Sequence, residues 1–257
     1  MSEGIVFEKM HGIGNDFVLI DNRQQKLNIT KKIIVSLANR HTGIGFDQLL
    51  LINKSDHAEC DAAYRFFNPD GSEAEQCGNG QRCISLYLHR LNPHKNDFCL
   101  SGLSGITHSK IITKGIVRVN MGTIKSICEQ TVANQACYQV DFGNPHLVHI
   151  VQNIEHSDLF ALNQQFTQKF PNGINFEIVE IINKENIRLR VYERGTGETL
   201  ACGSGACATV AALQYAQILT KKVNVILPGG SLMVESDQDN IFLTGSATHV
   251  FTGEFLI

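Results

Sequence analysis

The chain has 257 residues, 43% of them apolar and 18% charged, with a formal net charge of -3. That length and balance suit one large or two smaller globular cores. No basic cluster exceeds Lys31-Lys32 or Lys221-Lys222, which argues against a nucleic-acid binder, and no apolar run approaches the roughly 18 residues of a membrane span.

Taken in order, the apolar and β-branched runs IVFEKM, FVLID, QLLLI, AAYRFF, VRVNM, YQVDF, FEIVEII and IRLRVYE read as strands. Between the second and third, ITKKIIVSLANRH reads as a helix, with Thr30 as its N-cap and apolar residues at 33, 34, 37 and 38. GQRCISLYLHRL, after Cys77, places Cys83, Leu86, Tyr87 and Leu91 along one helical face. GACATVAALQYAQIL, after Cys202, does the same with Ala206, Val210, Leu213 and Ile218. LTKKVNVILPGG, LMVE and NIFLTGSATHVFTGEFLI return to strand patterning.

The opening MSEGIVFEKM lacks a basic stretch followed by a long apolar one, so a cytoplasmic protein is expected. The eight cysteines, at 60, 77, 83, 99, 128, 137, 202 and 207, form no Cys-x-x-Cys and no zinc spacing. In a reducing compartment a chain this long does without disulfides. Cys60, Cys99, Cys128 and Cys137 are therefore expected to be small buried side chains, and Cys83 and Cys207 core residues of their helices.

The chain also repeats itself. GNDFVLI (14–20) resembles GNPHLVHI (143–150). TGIGFDQLL (42–50) resembles NGINFEIVE (172–180), pairing Gly43 with Gly173, Phe46 with Phe176 and Asp47 with Glu177. FFNPDGSEAEQCGNG (66–80) resembles VYERGTGETLACGSG (191–205), pairing Glu73 with Glu198 and Cys77 with Cys202. The last two matches are offset by 130 and 125 residues, near half the chain. Two related halves are expected, with a boundary near residues 115–125.

Each half thus holds a cysteine followed by Gly-x-Gly at the start of a helix. The first turn of a helix leaves N–H groups unpaired and carries partial positive charge. A thiolate is favoured there, and glycines let a carboxylate approach the same N–H groups. One such site could be a packing turn; two at matched points suggest a function. If the halves pack about a pseudo-twofold axis, the two sulfurs face one cleft. One thiolate can then remove a proton from a tetrahedral carbon while the other thiol returns one to the opposite face, inverting it. A thiol switch or metal site is the rival of a different class.

MHGIGNDF, FNPDGSEAEQCGNGQRC, FGNPH and ERGTGETLACGSGACA together resemble the diaminopimelate epimerase family, in the same order from about residue 8 to residue 215. The resemblance implies an α+β fold of two pseudo-symmetric lobes, each a rolled, mainly antiparallel sheet around a central helix. The lobes would be residues 1–118, joined by a C-terminal strand at about 248–257, and residues 119–247, with the active site in the cleft between. It implies an isomerase that interconverts LL- and meso-diaminopimelate for lysine and peptidoglycan-precursor synthesis, without pyridoxal phosphate or metal, as a homodimer. The alternative is a related cofactor-independent amino-acid racemase with another substrate. By the same resemblance Cys77 and Cys202 transfer the protons, and His146 and Glu193 adjust them. Asn15, Gln48, Asn68, Gly78, Asn79, Asn144, Asn175, Glu193, Arg194, Gly203 and Ser204 bind substrate. Read alone, Asn68 and Asn144 are turn residues before proline, His146 a structural histidine, and Glu193-Arg194 a solvated strand edge. Pro69 and Gln81 depart from the alanines common in the family.

Overall fold

The computed structural model describes residues 4–74, 77–237 and 240–256. The chain divides into two compact units, Met1–Val119 with Gly245–Ile257, and Asn120–Thr244. In chain order the elements are β1 (Gly4–Gly12), β2 (Asn15–Asp21), α1 (Asn22–Gln25), α2 (Lys31–Ala38), β3 (Gln48–Asn53), β4 (Ala62–Phe67), β5 (Glu73–Ala74), α3 (Gly78–Leu91), β6 (Asp97–Gly102), β7 (Gly105–Thr113) and β8 (Ile116–Gly122). There follow β9 (Ser126–Val132), β10 (Gln135–Asp141), β11 (Pro145–Ile150), α4 (Leu159–Thr167), β12 (Asn175–Asn183), β13 (Asn186–Glu193), β14 (Gly197–Thr199), α5 (Gly203–Tyr215), β15 (Lys222–Leu227), β16 (Gly230–Asp237) and β17 (Asn240–Ser246). The last strand, β18 (Thr248–Leu256), belongs to the first unit and pairs antiparallel with β1, from Gly4↔Leu256 to His11↔Thr248.

In the first unit β1 and β2 form a hairpin whose register, Gly12↔Asn15, leaves only Ile13 and Gly14 in the turn. Both have positive φ, 45° and 91°, the geometry a two-residue hairpin requires. A β-branched residue is strained there, and the turn delivers Asn15 to the strand end. β2 and β3 run parallel, Phe17 opposite Gln48. Parallel neighbours need a crossover, and α2 lies within it. The Thr30 side chain caps α2 by accepting from Ile33 N–H, as the sequence pattern predicts. Successive side chains alternate between faces. Val18, Ile20, Leu49 and Leu51 pack with Ile34 and Leu37 of α2, while Leu50 and Phe66 lie under Gly80 of α3. Burial on both faces explains the unbroken runs FVLI and LLLI.

The second unit repeats this plan. β11 and β12 run parallel, His146 opposite Asn175, and the crossover carries α4, capped by Asp158, whose side chain accepts from Ala161 N–H. The polar residues Asn163, Gln164 and Gln165 interrupt the apolar period of α4, which hides it in the sequence. Its buried Leu159 and Phe166 pack with Leu147, Phe176 and Ile178.

The long helices differ from their expected amphipathic form. α5 is buried on all sides from Gly205 to Leu213, and Ile218 lies beyond its end. α3 is buried all round from Gly78 to Leu86, and its last turn emerges so that Leu91 is 58% exposed. A helix enclosed by strands has no solvent stripe, so one-face periodicity disappears. Cys83, Cys137 and Cys207 are buried, Cys60 and Cys99 are half-buried, and Cys128 is exposed. Cys128 corrects the expectation of burial: it sits on β9, where Val132 is the one buried side chain. Among the described residues no helix is long and apolar enough to cross a membrane.

Candidate active site

Both long helices start on a cysteine. Cys77 is the N-cap of α3 and its Sγ accepts from Gly80 N–H at 3.3 Å. Cys202 is the N-cap of α5 and its Sγ accepts from Gly205 N–H at 3.3 Å. Oxygen side chains usually fill this role; here two sulfurs do, each at the positive end of a helix. Gly78 and Gly203 are the first helical residues. Both of the next glycines are closely packed. A Cβ on Gly80 would lie 3.0 Å from Leu50, and one on Gly205 would lie 2.9 Å from Glu177 Oε1.

In the first unit the expected site residues stand at one end of the sheet. Asn15 opens β2, Gln48 opens β3, and Asn68 follows β4. Asn15 Oδ1 accepts from Asn79 Nδ2 at 3.1 Å and lies 3.9 Å from Cys77 Sγ. Asn15 Nδ2 donates to Asp47 Oδ2 at 2.9 Å. Gln48 Nε2 donates to Asn68 Oδ1 at 3.2 Å. Behind them Asp16 pairs with Lys9 and Arg40. Burial alone would raise the Asp16 carboxyl, but bonds from Arg40 and Lys9 outweigh it and hold the carboxyl at about 2. Arg82, without exposed surface, donates to Asn79 Oδ1 at 2.9 Å and to the Ser246 carbonyl at 3.2 Å. Gln81, equally buried, donates to Tyr64 Oη at 2.9 Å, so the departure at this position is built into the core.

In the second unit Asn144 precedes β11, Asn175 opens β12, and Glu193 ends β13 with Arg194 next. His146 Nδ1 lies 2.6 Å from Glu177 Oε1, and its Nε2 lies 3.0 Å from Asn144 Oδ1. Asn144 Nδ2 donates to Ser204 Oγ at 3.4 Å, and Ser204 Oγ lies 3.5 Å from Cys202 Sγ. Asn175 spans the strand ends: its Nδ2 donates to the Pro145 carbonyl and its Oδ1 accepts from Arg194 N–H, both at 3.0 Å. The Arg194 stem lies on Gly173, and its Nη1 donates to the Asn172 carbonyl at 3.4 Å. Glu193 Oε1 accepts from the Thr199 hydroxyl at 2.5 Å. Burial pushes the Glu193 carboxyl upward; hydrogen bonds from Thr199 and Cys202 oppose this, and the Glu177 charge adds to it. Burial, then the charges of Glu193 and Glu177, push the Cys202 thiol well above its ordinary value.

The expected site residues therefore fall into bonded groups within each unit: Asn15, Asn79 and Cys77; Gln48 and Asn68; Asn144, His146, Ser204 and Cys202; Asn175 and Arg194. Glu193 accepts from Thr199, and its charge acts on Cys202. Sequence reasoning misses Glu177, Thr199 and Arg82 as parts of these groups. Glu177 had a signal: a charge inside the apolar run INFEIVE, matched by the repeat to Asp47. Thr199 and Arg82 had none, since a hydroxyl on a strand and a cation on a helix are ordinary.

The family model for diaminopimelate epimerase matches residues 7–127 and 138–250. A diaminopimelate epimerase of Acinetobacter baumannii (strain AYE) is 39% identical over 268 residues, covering 96% of this chain and 95% of its own length. One of Legionella pneumophila (strain Paris) is 39% identical over 275 residues, covering 98% and 99%. A crystal structure of a Bacillus anthracis phenazine biosynthesis protein of the PhzF family matches with a TM-score of 0.75 at 17% identity, over 99% of this chain and all of its own, a likeness of fold. With its motifs, its fold and its full-length relatives in agreement, the chain belongs to the diaminopimelate epimerase family.

Proposed function

We propose that the chain interconverts LL- and meso-diaminopimelate by two-base proton transfer between Cys77, Cys202 and one α-carbon. One sulfur, as thiolate, takes the α-hydrogen, and the other, as thiol, returns a proton to the opposite face. In the reverse direction the two exchange roles. Each step moves one proton, the electron pair stays on the substrate carbon, and no cofactor is consumed. The observation that carries this reading is the matched pair of cysteine N-caps, each with its sulfur 3.3 Å from a helix N–H.

The hard step is acidifying a carbon next to a carboxylate. A helix terminus contributes about 0.3–2 kcal/mol, enough to tune a thiol but not a carbon acid. The larger part comes from preorganised donors on the reacting carboxylate, supplied by the first turns at Gly78, Asn79, Gly203 and Ser204, in a site that excludes water. Arg194 takes the distal carboxylate through its planar fork. The amide oxygens of Asn15, Gln48, Asn68, Asn144 and Asn175 are acceptors for ammonium groups. His146 and Glu193 adjust the acid and the base.

The test is hydrogen exchange in D2O. Reduced protein is mixed with LL-diaminopimelate, followed by NMR and separation of stereoisomers. Deuterium at one α-carbon together with meso product is expected. Folded, reduced protein giving neither would refute the reading. The working form is proposed to be a homodimer, in a compartment that keeps both thiols reduced. Sedimentation equilibrium of the purified protein should return twice the chain mass, and a monomer mass at micromolar concentration would exclude it.

A further inference from the structure

We propose that Glu177 is a positioning residue for Cys202: from the buried end of a hydrogen-bonded chain through His146, Asn144 and Ser204, its carboxylate holds the proton on the sulfur. Its use in catalysis rests on the two-cysteine reading above; its physical content does not.

The chain is continuous. Its links are Glu177 Oε1 to His146 Nδ1 at 2.6 Å, His146 Nε2 to Asn144 Oδ1 at 3.0 Å, Asn144 Nδ2 to Ser204 Oγ at 3.4 Å, and Ser204 Oγ to Cys202 Sγ at 3.5 Å. Glu177 and His146 have no exposed surface, and the second carboxylate oxygen, Glu177 Oε2, has no partner among the described residues. The carboxylate and the sulfur also converge directly on the first turn of α5. A Cβ on Gly205 would lie 2.9 Å from Glu177 Oε1 and 3.3 Å from Cys202 Sγ.

A buried anion beside a thiol disfavours a second negative charge. It also orders the chain. An anionic Glu177 accepts from Nδ1–H, leaving a lone pair on Nε2. With its amide turned half a revolution, Asn144 donates to Nε2 and accepts from the Ser204 hydroxyl, whose oxygen accepts from Cys202 S–H. Every donor then points toward the carboxylate. When the ring carries protons on both nitrogens, Nδ1–H still donates to Glu177, Asn144 takes the orientation seen in the structure, and every donor from Nε2 onward points toward the sulfur, matching a thiolate. The chain has one polarity for each state an acid–base group passes through, and Glu177 sets the resting one.

The first unit has an acid at the matching position, with its charge neutralised. Asp47, the repeat partner of Glu177, accepts directly from Asn15, whose Oδ1 lies 3.9 Å from Cys77 Sγ, with no histidine or serine between. Asp47 also pairs with Arg40, and its side chain is 46% exposed. Glu177 is enclosed, and its one polar partner among the described residues is His146. The charged groups that act on Cys202 are Glu193 from β13 and Glu177 from β12, with His146 of β11 behind Glu177. Burial and these two carboxylates push the thiol upward together.

The test is alkylation by iodoacetamide, resolved by peptide, on reduced and substrate-free protein across roughly pH 6 to 10. Glu177→Gln keeps the shape and removes the charge. The Cys202 midpoint should move to lower pH, with alkylation about tenfold faster below the midpoint, one pH unit. The Cys77 profile should stay in place. A Cys202 profile that superimposes on the parent, or moves to higher pH, overturns the proposal. A second measurement needs no variant: 15N-histidine NMR of the parent should show His146 protonated at Nδ1, and a ring protonated at Nε2 alone overturns it. Neither measurement uses diaminopimelate. An inactive protein with a shifted Cys202 profile would sink the epimerase reading and leave this one standing.

Discussion

At the scale of single residues the two capping cysteines have different described neighbours. Cys77 stands near Asn79, which accepts from the buried guanidinium of Arg82, while Cys202 stands beside the buried carboxyl groups Glu193 and Glu177. Glu193 yields a stability prediction with a definite sign. Burial raises its carboxyl above the unfolded value of about 4.3. A raised acid favours the fold at low pH, and that contribution is lost as pH rises through the folded value. Glu193→Gln removes the cost of the buried charge and keeps an acceptor for Thr199. The variant should melt above the parent at about pH 8 and converge with it near pH 4. A gain of about 1 kcal/mol would appear as about 2–4 °C. Turnover should fall by about a hundredfold or more, since the carboxyl whose charge acts on Cys202 no longer ionises. If Glu193→Gln instead melts below the parent at pH 8, the carboxylate is held by its partners rather than strained by burial.

At the scale of elements, β18 joins the end of the chain to its start. Its strand pairs with β1 along nearly its whole length. Thr252 donates to Glu8 Oε2 at 2.7 Å, and the rings of Phe7 and Phe251 meet edge-on at 5.9 Å. Phe7 also lies on Gly253, where a Cβ would come within 2.6 Å of its ring. Removing residues 248–257 would expose the β1 edge and strip cover from Phe7, whose burial is worth about 1.5–3 kcal/mol. The shortened chain should aggregate or lose the cooperative melt of its first unit, as circular dichroism and light scattering would report. A soluble truncated protein melting with the parent would show that β18 is dispensable. How legible the elements were follows from burial. Half-buried strands such as IRLRVYE alternate and are plain in the sequence. α4 was hidden by its polar middle, and α5 kept no solvent face to mark its orientation.

At the scale of the molecule, each unit places its candidate functional side chains at one end of a parallel strand pair, β2 with β3 and β11 with β12. The helix N-terminus lies over that end: Gly80 packs on β3 and β4, and Gly205 meets Glu177 of β12. The repeat in the sequence is thus a repeat of site architecture. Asn15 with Asp47, 32 positions apart, and His146 with Glu177, 31 apart, are brought together by the same crossover in the two units.

The amino-acid sequence by itself determined the two halves, the two helix-capping cysteines and the chemistry open to them. Those features rest on local patterns: a cysteine before Gly-x-Gly at a helix start, and segments recurring at one spacing. Only the tertiary structure decided that Glu177 is enclosed behind His146 while its counterpart Asp47 is exposed and paired with Arg40. Both positions carry an acidic side chain in a strand-like context, and nothing local tells them apart. Burial and charge compensation are properties of the surrounding fold, and they make one carboxylate a neutralised anchor and the other a buried charge beside a thiol.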